Sequence, residues 1–182
     1  MGEGVKRARK LRAGGARALL LPLGCGLLLA FACYGLRSRL VAVHHAGDFA
    51  SHTLYQSFIG LTVALLLWQA FRRPHRHLLW WPPAIALACG ASVEGLKRLT
   101  RLPRPDGDPS GFPSGHTTFA FALAWLLART HPSLAPLWYA VAVVIGWSRV
   151  EGNAHFPYQV LWGAALGTVL GRLVSLIRPR EA

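Results

Sequence analysis

The chain has 182 residues, of which 53% are hydrophobic and 15% are charged, against about 25% charged in a typical soluble domain. Its net charge of +13 raises the possibility of nucleic-acid binding, but the basic residues mostly flank long apolar runs, which argues against that function. The composition excludes an ordinary soluble domain and indicates a membrane protein.

Long apolar runs predict the fold class. A helix that crosses a bilayer needs about 20 mostly apolar residues. The sequence predicts an all-α fold, a polytopic membrane helical bundle over 18–177 behind a basic cytoplasmic tail at 1–17. Cleavage of a signal peptide at Ala30-Phe31-Ala32 is an alternative for the first run. Six transmembrane helices are predicted in chain order, at 18–36, 53–71, 78–96, 114–130, 134–150 and 159–177.

The distribution of basic residues predicts which side of the membrane each loop faces. With six spans, 13 of the 20 lysines and arginines fall on the side of the N-terminus, which the positive-inside rule makes cytoplasmic. The longer loops, 37–52, 97–113 and 151–158, then face the extracytoplasmic side. Basic residues crowd loop 97–113 against the rule, and anion binding is the natural reason. The minimal loops favour a bacterial inner membrane over the endoplasmic reticulum.

The loop at 97–113 contains the first candidate for a chemical role. Lys97 and Arg104 lie seven residues apart, and Pro103 and Pro105 stiffen the backbone around Arg104, as suits a cation held in place. Cations at the end of an apolar run also snorkel to the membrane surface, so a purely structural role is the alternative.

The motif Pro113-Ser114-Gly115-His116 opens the next predicted helix. The unpaired N–H groups and positive dipole of a helix start attract anions, Gly115 lets a ligand approach the backbone, and Ser114 adds a donor. His116, in the first turn, is placed to protonate a group bound there. An ordinary serine cap beside a boundary histidine is the alternative.

The stretch SRVEGNAHFPYQV, at 148–160, is the third candidate. Arg149 closes one apolar run, His155 follows six residues later, and Gln159 opens the last run. Pro157 places His155 just before the first turn of the final helix. A loop histidine without a chemical role is the alternative.

The three candidates lie on one side of the membrane, at the ends of predicted helices three to six. Together they supply three cations, a backbone anion site and two histidines. This set suits phosphoryl transfer, in which cations and N–H groups hold the non-bridging oxygens, one histidine attacks phosphorus and the other protonates the leaving alkoxide. Histidine suits both roles because its pKa lies near neutrality.

In order and spacing, the motifs resemble the signature of the type-2 phosphatidic acid phosphatase superfamily, which includes lipid phosphate phosphatases, glucose-6-phosphatase and vanadium-dependent haloperoxidases. The motifs are Lys97-x6-Arg104-Pro105, Pro113-Ser114-Gly115-His116 and Ser148-Arg149-x5-His155. The resemblance covers roughly residues 50–177 and includes the six-helix plan. It implies that His155 is a nucleophile that forms a phosphohistidine and that His116 is the general acid. It further implies no metal or other cofactor, and a phosphate site formed by Lys97, Arg104, Ser114, Gly115 and Arg149.

Gln159 departs from the pattern, since most members place an aspartate four residues after the nucleophilic histidine. The side-chain carbonyl of glutamine can accept the N–H of His155 and orient the ring without supplying charge. The letters HFPYQV also resemble the glucose-6-phosphatase branch, which carries glutamine here. We interpret Gln159 as an orienting residue, with inactivity as the alternative. If it only orients His155, Gln159→Asp should retain or raise turnover.

The predicted function is a metal-independent integral membrane phosphatase acting at the extracytoplasmic face. A site near the bilayer surface favours a lipid phosphomonoester or diphosphate as substrate, and no nucleic-acid partner is expected. A soluble phosphomonoester is the first alternative, and a disabled protein that binds phosphate head groups is the second. Haloperoxidase chemistry with vanadate is remote, because those relatives are not small membrane bundles.

Two further polar groups have open roles. His44, Asp48 and His52 are spaced by four and would share a helical face; an interfacial face or contact with a head group is favoured over metal binding. Glu94 lies inside a predicted span and is expected to pair with Lys97 or a neighbouring arginine.

Overall fold

The computed structural model describes residues 46–72 and 76–177, and every regular element in these ranges is helical. A π-helical turn, Ala50–Leu54, precedes the first α-helix, and short 3-10 helices occupy Arg76–Trp80 and Pro132–Leu134. The predicted all-α fold is confirmed for this part of the chain. The α-helices described are α1 (Tyr55–Arg72), α2 (Trp81–Thr100), α3 (Gly115–Thr130), α4 (Ala135–Glu151) and α5 (Pro157–Leu176).

The membrane character is supported by three helices that are long and apolar enough to cross a bilayer: Ala46–Arg72, Pro132–Glu151 and Pro157–Leu176. Large apolar side chains lie exposed along them, as a lipid-facing surface requires. The predicted set of six spans is not confirmed. Helix α3 has only 16 residues, and α2 carries Glu94, Lys97 and Arg98 in its last two turns. The tail at 1–17 and the run at 18–36 lie outside the described residues.

The start of the first described helix differs from the prediction. The prediction places 46–52 in an outer loop, whereas these residues are already helical from Ala46. Asp48 and His52 are both exposed on it, and His44 lies outside the described residues. Within the described ranges no group of three or more metal-ligating side chains occurs.

Helix α3 lies at the centre of the bundle and contacts α1, α2, α4 and α5. Its apolar residues point in all directions, and a helix that is apolar all round has to be surrounded by other elements. Phe121, Leu126 and Leu127 are accordingly fully buried. The N-terminus of α3 is therefore fixed by packing on several sides.

Helices α3 and α5 approach each other most closely along a stripe of glycines. A Cβ atom on Gly163 would lie 2.7 Å from the carbonyl oxygen of Ser114. A Cβ on Gly171 would lie 2.8 Å from that of Ala122, and one on Gly167 would overlap the backbone of α3. Small residues at this spacing let two helix backbones approach closely. The stripe sets the N-termini of α3 and α5 side by side.

Candidate active site

The predicted site residues come together at one end of the bundle, because neighbouring helices run in opposite directions. The last turn of α2 carries Lys97, the first turn of α3 carries His116, and the last turn of α4 carries Arg149. Gln159 lies in the first turn of α5. The backbone N–H of Ser114 donates to the carbonyl of Gln159 at 3.1 Å, which joins two of these termini directly.

His155 lies in the turn before α5, as Pro157 predicts, and is 4% exposed. Its Nδ1 is 2.9 Å from the carbonyl oxygen of Gly111 and 3.1 Å from Oε1 of Gln159. Both partners are acceptors, so Nδ1 carries the proton. In this tautomer Nε2 has a free lone pair.

Gln159 is completely buried, and its amide is oriented by contacts on both sides. Its Oε1 accepts from His155 Nδ1 and from the backbone N–H of Phe156, 3.1 Å away in each case. Its Nε2 donates to the carbonyl of Pro103 at 2.8 Å and to the hydroxyl of Tyr158 at 3.2 Å. The predicted contact with His155 is present, and the amide also ties the loop before α3 to the start of α5.

The irregular loop at 101–113 is closed by its own backbone. The N–H of Arg104 donates to the carbonyl of Asp108, and that of Gly111 donates to Leu102. The side chain of Ser110 donates to the Asp108 carboxylate, and this bond, together with that from the Ser110 backbone, lowers the pKa of the carboxyl. The loop thereby holds Arg104 and the Gly111 carbonyl in place.

A second turn joins α4 to α5 and brings Arg149 close to His155. The backbone N–H groups of Ala154 and His155 both donate to the carbonyl of Arg149 at 3.0 Å. Asn153 has φ 53°, a left-handed conformation that asparagine adopts more readily than most residues. The turn therefore sets the spacing between Arg149 and His155 that the motif contains.

The charges around His155 keep its imidazole neutral. Burial is the main cause that lowers the pKa of His155 to about 4, and the positive charges of Arg104 and Arg149 act in the same direction. The hydrogen bonds to Gln159 and Gly111 oppose this shift. The imidazole is consequently unprotonated near neutral pH.

His116 belongs to the same electrostatic cluster. It interacts electrostatically with Arg149 and Lys97, and with His155 when that imidazole is protonated, and Lys97 interacts in turn with Arg104. The structure thus brings the predicted cations and both histidines together.

Ser114 and Gly115 occupy the predicted helix start, but they differ in access. Ser114 is the N-cap of α3 and is fully buried, and its hydroxyl accepts from Thr117 at 3.0 Å rather than capping the helix. Gly115 is half-buried, and a Cβ there would lie 3.5 Å from Val93. The N–H groups of this terminus are therefore better placed for a ligand than the Ser114 hydroxyl.

Sequence reasoning missed two residues, Ser51 and Tyr55, near the N-terminal end of the first described helix. Ser51 accepts a hydrogen bond from Nη1 of Arg149, and the ring of Tyr55 lies 4.3 Å from that of His116. Neither belongs to a motif, and no local pattern marks them. The expected pairing of Glu94 is confirmed, with Arg98 as its partner at 2.8 Å.

The fold and the site define a class: a helical membrane protein with a cluster of cations and two histidines at one end of its bundle. The sequence profile of the PAP2 superfamily matches residues 78–182. The chain belongs to this superfamily, the type-2 phosphatidic acid phosphatases, which confirms the resemblance.

Several curated proteins are similar to this chain. A lipid A 1-phosphatase from Porphyromonas gingivalis is 31% identical over 166 residues, which are 84% of this chain and 36% of that protein. A decaprenylphosphoryl-5-phosphoribose phosphatase from Mycobacterium tuberculosis is 32% identical over 130 residues, 65% of this chain and 72% of that protein. Glucose-6-phosphatase 3 from Bos taurus is 39% identical over 87 residues, 39% of this chain and 25% of that protein.

The chain spans about a third of the length of the lipid A 1-phosphatase that it matches. Among solved structures, a transmembrane PAP2-type phosphatidylglycerolphosphate phosphatase from Bacillus subtilis is similar, with 22% identity and a TM-score of 0.43. That match covers 85% of this chain and 94% of the other.

Proposed function

We propose that this integral membrane protein is a metal-independent phosphatase that removes a terminal phosphate from a lipid phosphomonoester or diphosphate at the extracytoplasmic face, through a phosphohistidine on His155. The observation that carries the proposal is the pair of acceptors on His155 Nδ1, the carbonyl of Gly111 and Oε1 of Gln159. They fix the proton on Nδ1 and leave the lone pair of Nε2 for attack on phosphorus.

The phosphate is held by Lys97, Arg104 and Arg149 together with the backbone N–H groups at the start of α3. Oriented cations and amides stabilise the charge on the equatorial oxygens of the transferring phosphoryl group. The three side chains interact electrostatically with one another or with His155. Such a cluster of like charges favours the binding of a dianion.

The reaction has two steps, transfer of the phosphoryl group to His155 and hydrolysis of the phosphohistidine. Nε2 of His155 forms a bond to phosphorus as the bond to the leaving oxygen breaks. His116, which holds a proton in the complex because the bound dianion offsets the neighbouring cations, gives that proton to the leaving oxygen. Water then attacks the phosphohistidine, His116 takes a proton from the water, and the phosphorus–nitrogen bond breaks. Inorganic phosphate leaves, and His155 is restored.

A lipid substrate is favoured by the surroundings of the site. Phe156, directly before α5, and Tyr158 and Trp162 on α5 are 38%, 42% and 60% exposed. Aromatic side chains of this kind are enriched at the boundary between lipid and water, which supports a site at the depth of a lipid head group. The two bacterial relatives are themselves named as phosphatases of lipid phosphates.

A soluble phosphomonoester is the second candidate. Two observations favour it. The chain is similar to glucose-6-phosphatase 3, and it carries glutamine at position 159, which the resemblance associates with the glucose-6-phosphatase branch. Turnover of long-chain lipid phosphates and of sugar phosphates by the detergent-purified protein distinguishes the two candidates. A preference for sugar phosphates would exclude the lipid proposal.

Trapping of the phosphoenzyme tests the mechanism. A brief reaction with a ³²P-labelled substrate should give an acid-labile, alkali-stable label on the protein, and His155→Ala should abolish both label and turnover. His131→Ala is the matched control, because His131 bonds to Gln69 at the opposite end of the bundle. Two results would contradict a phosphohistidine on His155: release of phosphate while no label is trapped on the protein, or label that persists in His155→Ala.

Cysteine labelling tests the orientation, which rests on the proposed bacterial inner membrane. In a chain whose three cysteines are replaced by alanine, Asp106→Cys should react with a membrane-impermeant maleimide in intact spheroplasts. Ser133→Cys, exposed at the other end, should react only after lysis. The reverse pattern would place the site in the cytoplasm.

A further inference from the structure

The first described helix reaches the site from outside the matched part of the chain. The PAP2 profile begins at residue 78, whereas Ser51 and Tyr55 lie upstream and touch Arg149 and His116. The helical path from Ala46 therefore borders the same site.

Ser51 anchors one arm of the Arg149 guanidinium. Its hydroxyl is 5% exposed and accepts from Nη1. Nε of Arg149 is buried and has no partner among the described residues. Because the guanidinium is planar and rigid, holding one terminal nitrogen fixes the direction of all its N–H groups. The remaining donors are left for an anion.

Tyr55 packs against the imidazole of His116. The two rings are 4.3 Å apart between centroids and tilted by 40°. A ring contact of this kind limits the rotation of His116 about its side-chain bonds, and a misplacement of about 1 Å costs about 100-fold in rate. Tyr55 therefore helps to hold His116 in place.

The local backbone explains how one short segment reaches both side chains. Ala50–Leu54 forms a π-helical turn directly before Tyr55, and such turns occur frequently at functional sites. The turn buries Ser51 towards Arg149 while His52 and Thr53 remain exposed. Ser51 and Tyr55 thereby meet two different groups of the pocket.

We infer that Ser51 and Tyr55 are positioning residues of the proposed phosphatase, Ser51 for the phosphate-binding Arg149 and Tyr55 for the general acid His116. The inference rests on the proposed function. It assigns the two residues to different halves of the reaction, because Arg149 holds phosphate while His116 serves the leaving group.

Substrates with different leaving groups separate the two roles. An alkoxide needs a proton from the general acid, whereas 4-nitrophenolate leaves without one. Tyr55→Leu should lower kcat/KM for dodecyl phosphate by about tenfold or more and that for 4-nitrophenyl phosphate much less. Tyr55→Phe, which retains the ring, should restore most of the rate with dodecyl phosphate.

Ser51→Ala should lower kcat/KM for both substrates by a similar factor and weaken vanadate inhibition, because vanadate mimics the transferring phosphoryl group. Ser51→Thr keeps the hydroxyl acceptor and should recover part of kcat/KM and part of the inhibition by vanadate. Two matched controls should retain wild-type values: Ser57→Ala, an exposed position on the same helix, and Tyr139→Leu, which removes a ring packed on Phe121.

The outcomes distinguish this inference from the proposed function. An unaltered chain without turnover would overturn both. An active parent whose Ser51 and Tyr55 variants match the controls would overturn this inference alone. Equal losses with both substrates in Tyr55→Leu would overturn the assignment of Tyr55 to His116.

Discussion

At the scale of single residues, the contacts of Gln159 depend on an amide that both accepts and donates. A carboxylate and an amide oxygen both accept from Nδ1, but only the amide also donates, here to Pro103 at 2.8 Å. An aspartate or glutamate at 159 would place a carboxylate oxygen next to the Pro103 carbonyl oxygen, so that two acceptors would face each other inside a buried site. The sequence-based expectation for Gln159→Asp assumed that glutamine only orients His155, and the structure gives it a second contact.

We expect Gln159→Glu to lower both stability and turnover. Loss of a buried donor and exposure of the Pro103 carbonyl to a carboxylate should cost about 1–3 kcal/mol of the free energy of unfolding. The same loss expressed in the transition state would reduce kcat/KM by about 10- to 100-fold. Melting in detergent and steady-state kinetics measure these effects.

Gln69→Glu is the control, because Gln69 bonds to His131 at the opposite end and its change should leave turnover intact. Turnover in Gln159→Glu equal to or above that of the parent would show that the bond to Pro103 has no catalytic importance.

The pH dependence follows from the pKa of His155, about 4, which lies below the usual value of about 6.5. The unfolded chain binds this proton first as pH falls, so the contribution of His155 to stability is complete above about 6.5 and is lost as pH drops towards 4. Titration of ring-labelled histidines by NMR in micelles, with the signal assigned by His155→Gln, should show a midpoint near 4. A midpoint near 6.5 would contradict burial among cations.

At the scale of elements, the contact between α3 and α5 decides whether the site can form. Their glycine stripe leaves no room for a side chain at Gly163, Gly167 or Gly171. The obstructing atoms belong mostly to the α3 backbone, which cannot move aside like the end of a flexible side chain. The position of Ser114 and His116 relative to Gln159 therefore depends on residues with no chemical role.

Gly167→Ala should destabilise the protein strongly. Overpacking costs about 1–3 kcal/mol in a well-packed core, and a clash with backbone should reach at least the upper part of that range. Thermal unfolding in detergent measures the shift. Gly60→Ala, where a Cβ would meet nothing within 4 Å, should melt at or above the temperature of the parent, and equal melting of the two variants would contradict the packing argument.

At the scale of the whole molecule, the site concentrates positive charge at one end of the bundle. Lys97, Arg104 and Arg149 are partly buried and interact electrostatically within the cluster. Repulsion between like charges destabilises the empty protein, and a bound dianion would reduce this repulsion. If the site binds phosphate as proposed, phosphate should therefore stabilise the fold.

Lys97→Ala and Arg104→Ala should each lower kcat/KM by about 100- to 1,000-fold, the range for loss of one transition-state donor. Each should also reduce the rise in melting temperature that inorganic phosphate produces. Arg98→Ala, which removes an exposed cation paired with Glu94, should change neither. Near-normal rates in the first two variants would return these cations to a snorkelling role.

The sequence by itself determined the helical membrane class and the superfamily, and it identified the residues of the candidate site. Apolar runs predicted the ends of α2 to α5 to within a few residues, and the spacing of the motifs identified both histidines and the cations as candidate site residues. It placed 46–52 in a loop, because polar residues on one face of a helix look like a loop when only their composition is read.

Only the tertiary structure decided which partners the site residues have. Ser51 meets Arg149 across 98 positions of the chain, and Gln159 meets Pro103 across 56. Such contacts depend on how each helix is rotated and how closely its neighbours approach, and local periodicity specifies neither. The position of the proton on His155 Nδ1 also depends on tertiary contacts, because the groups that surround the ring in space determine its tautomer and the neighbouring residues in the sequence do not.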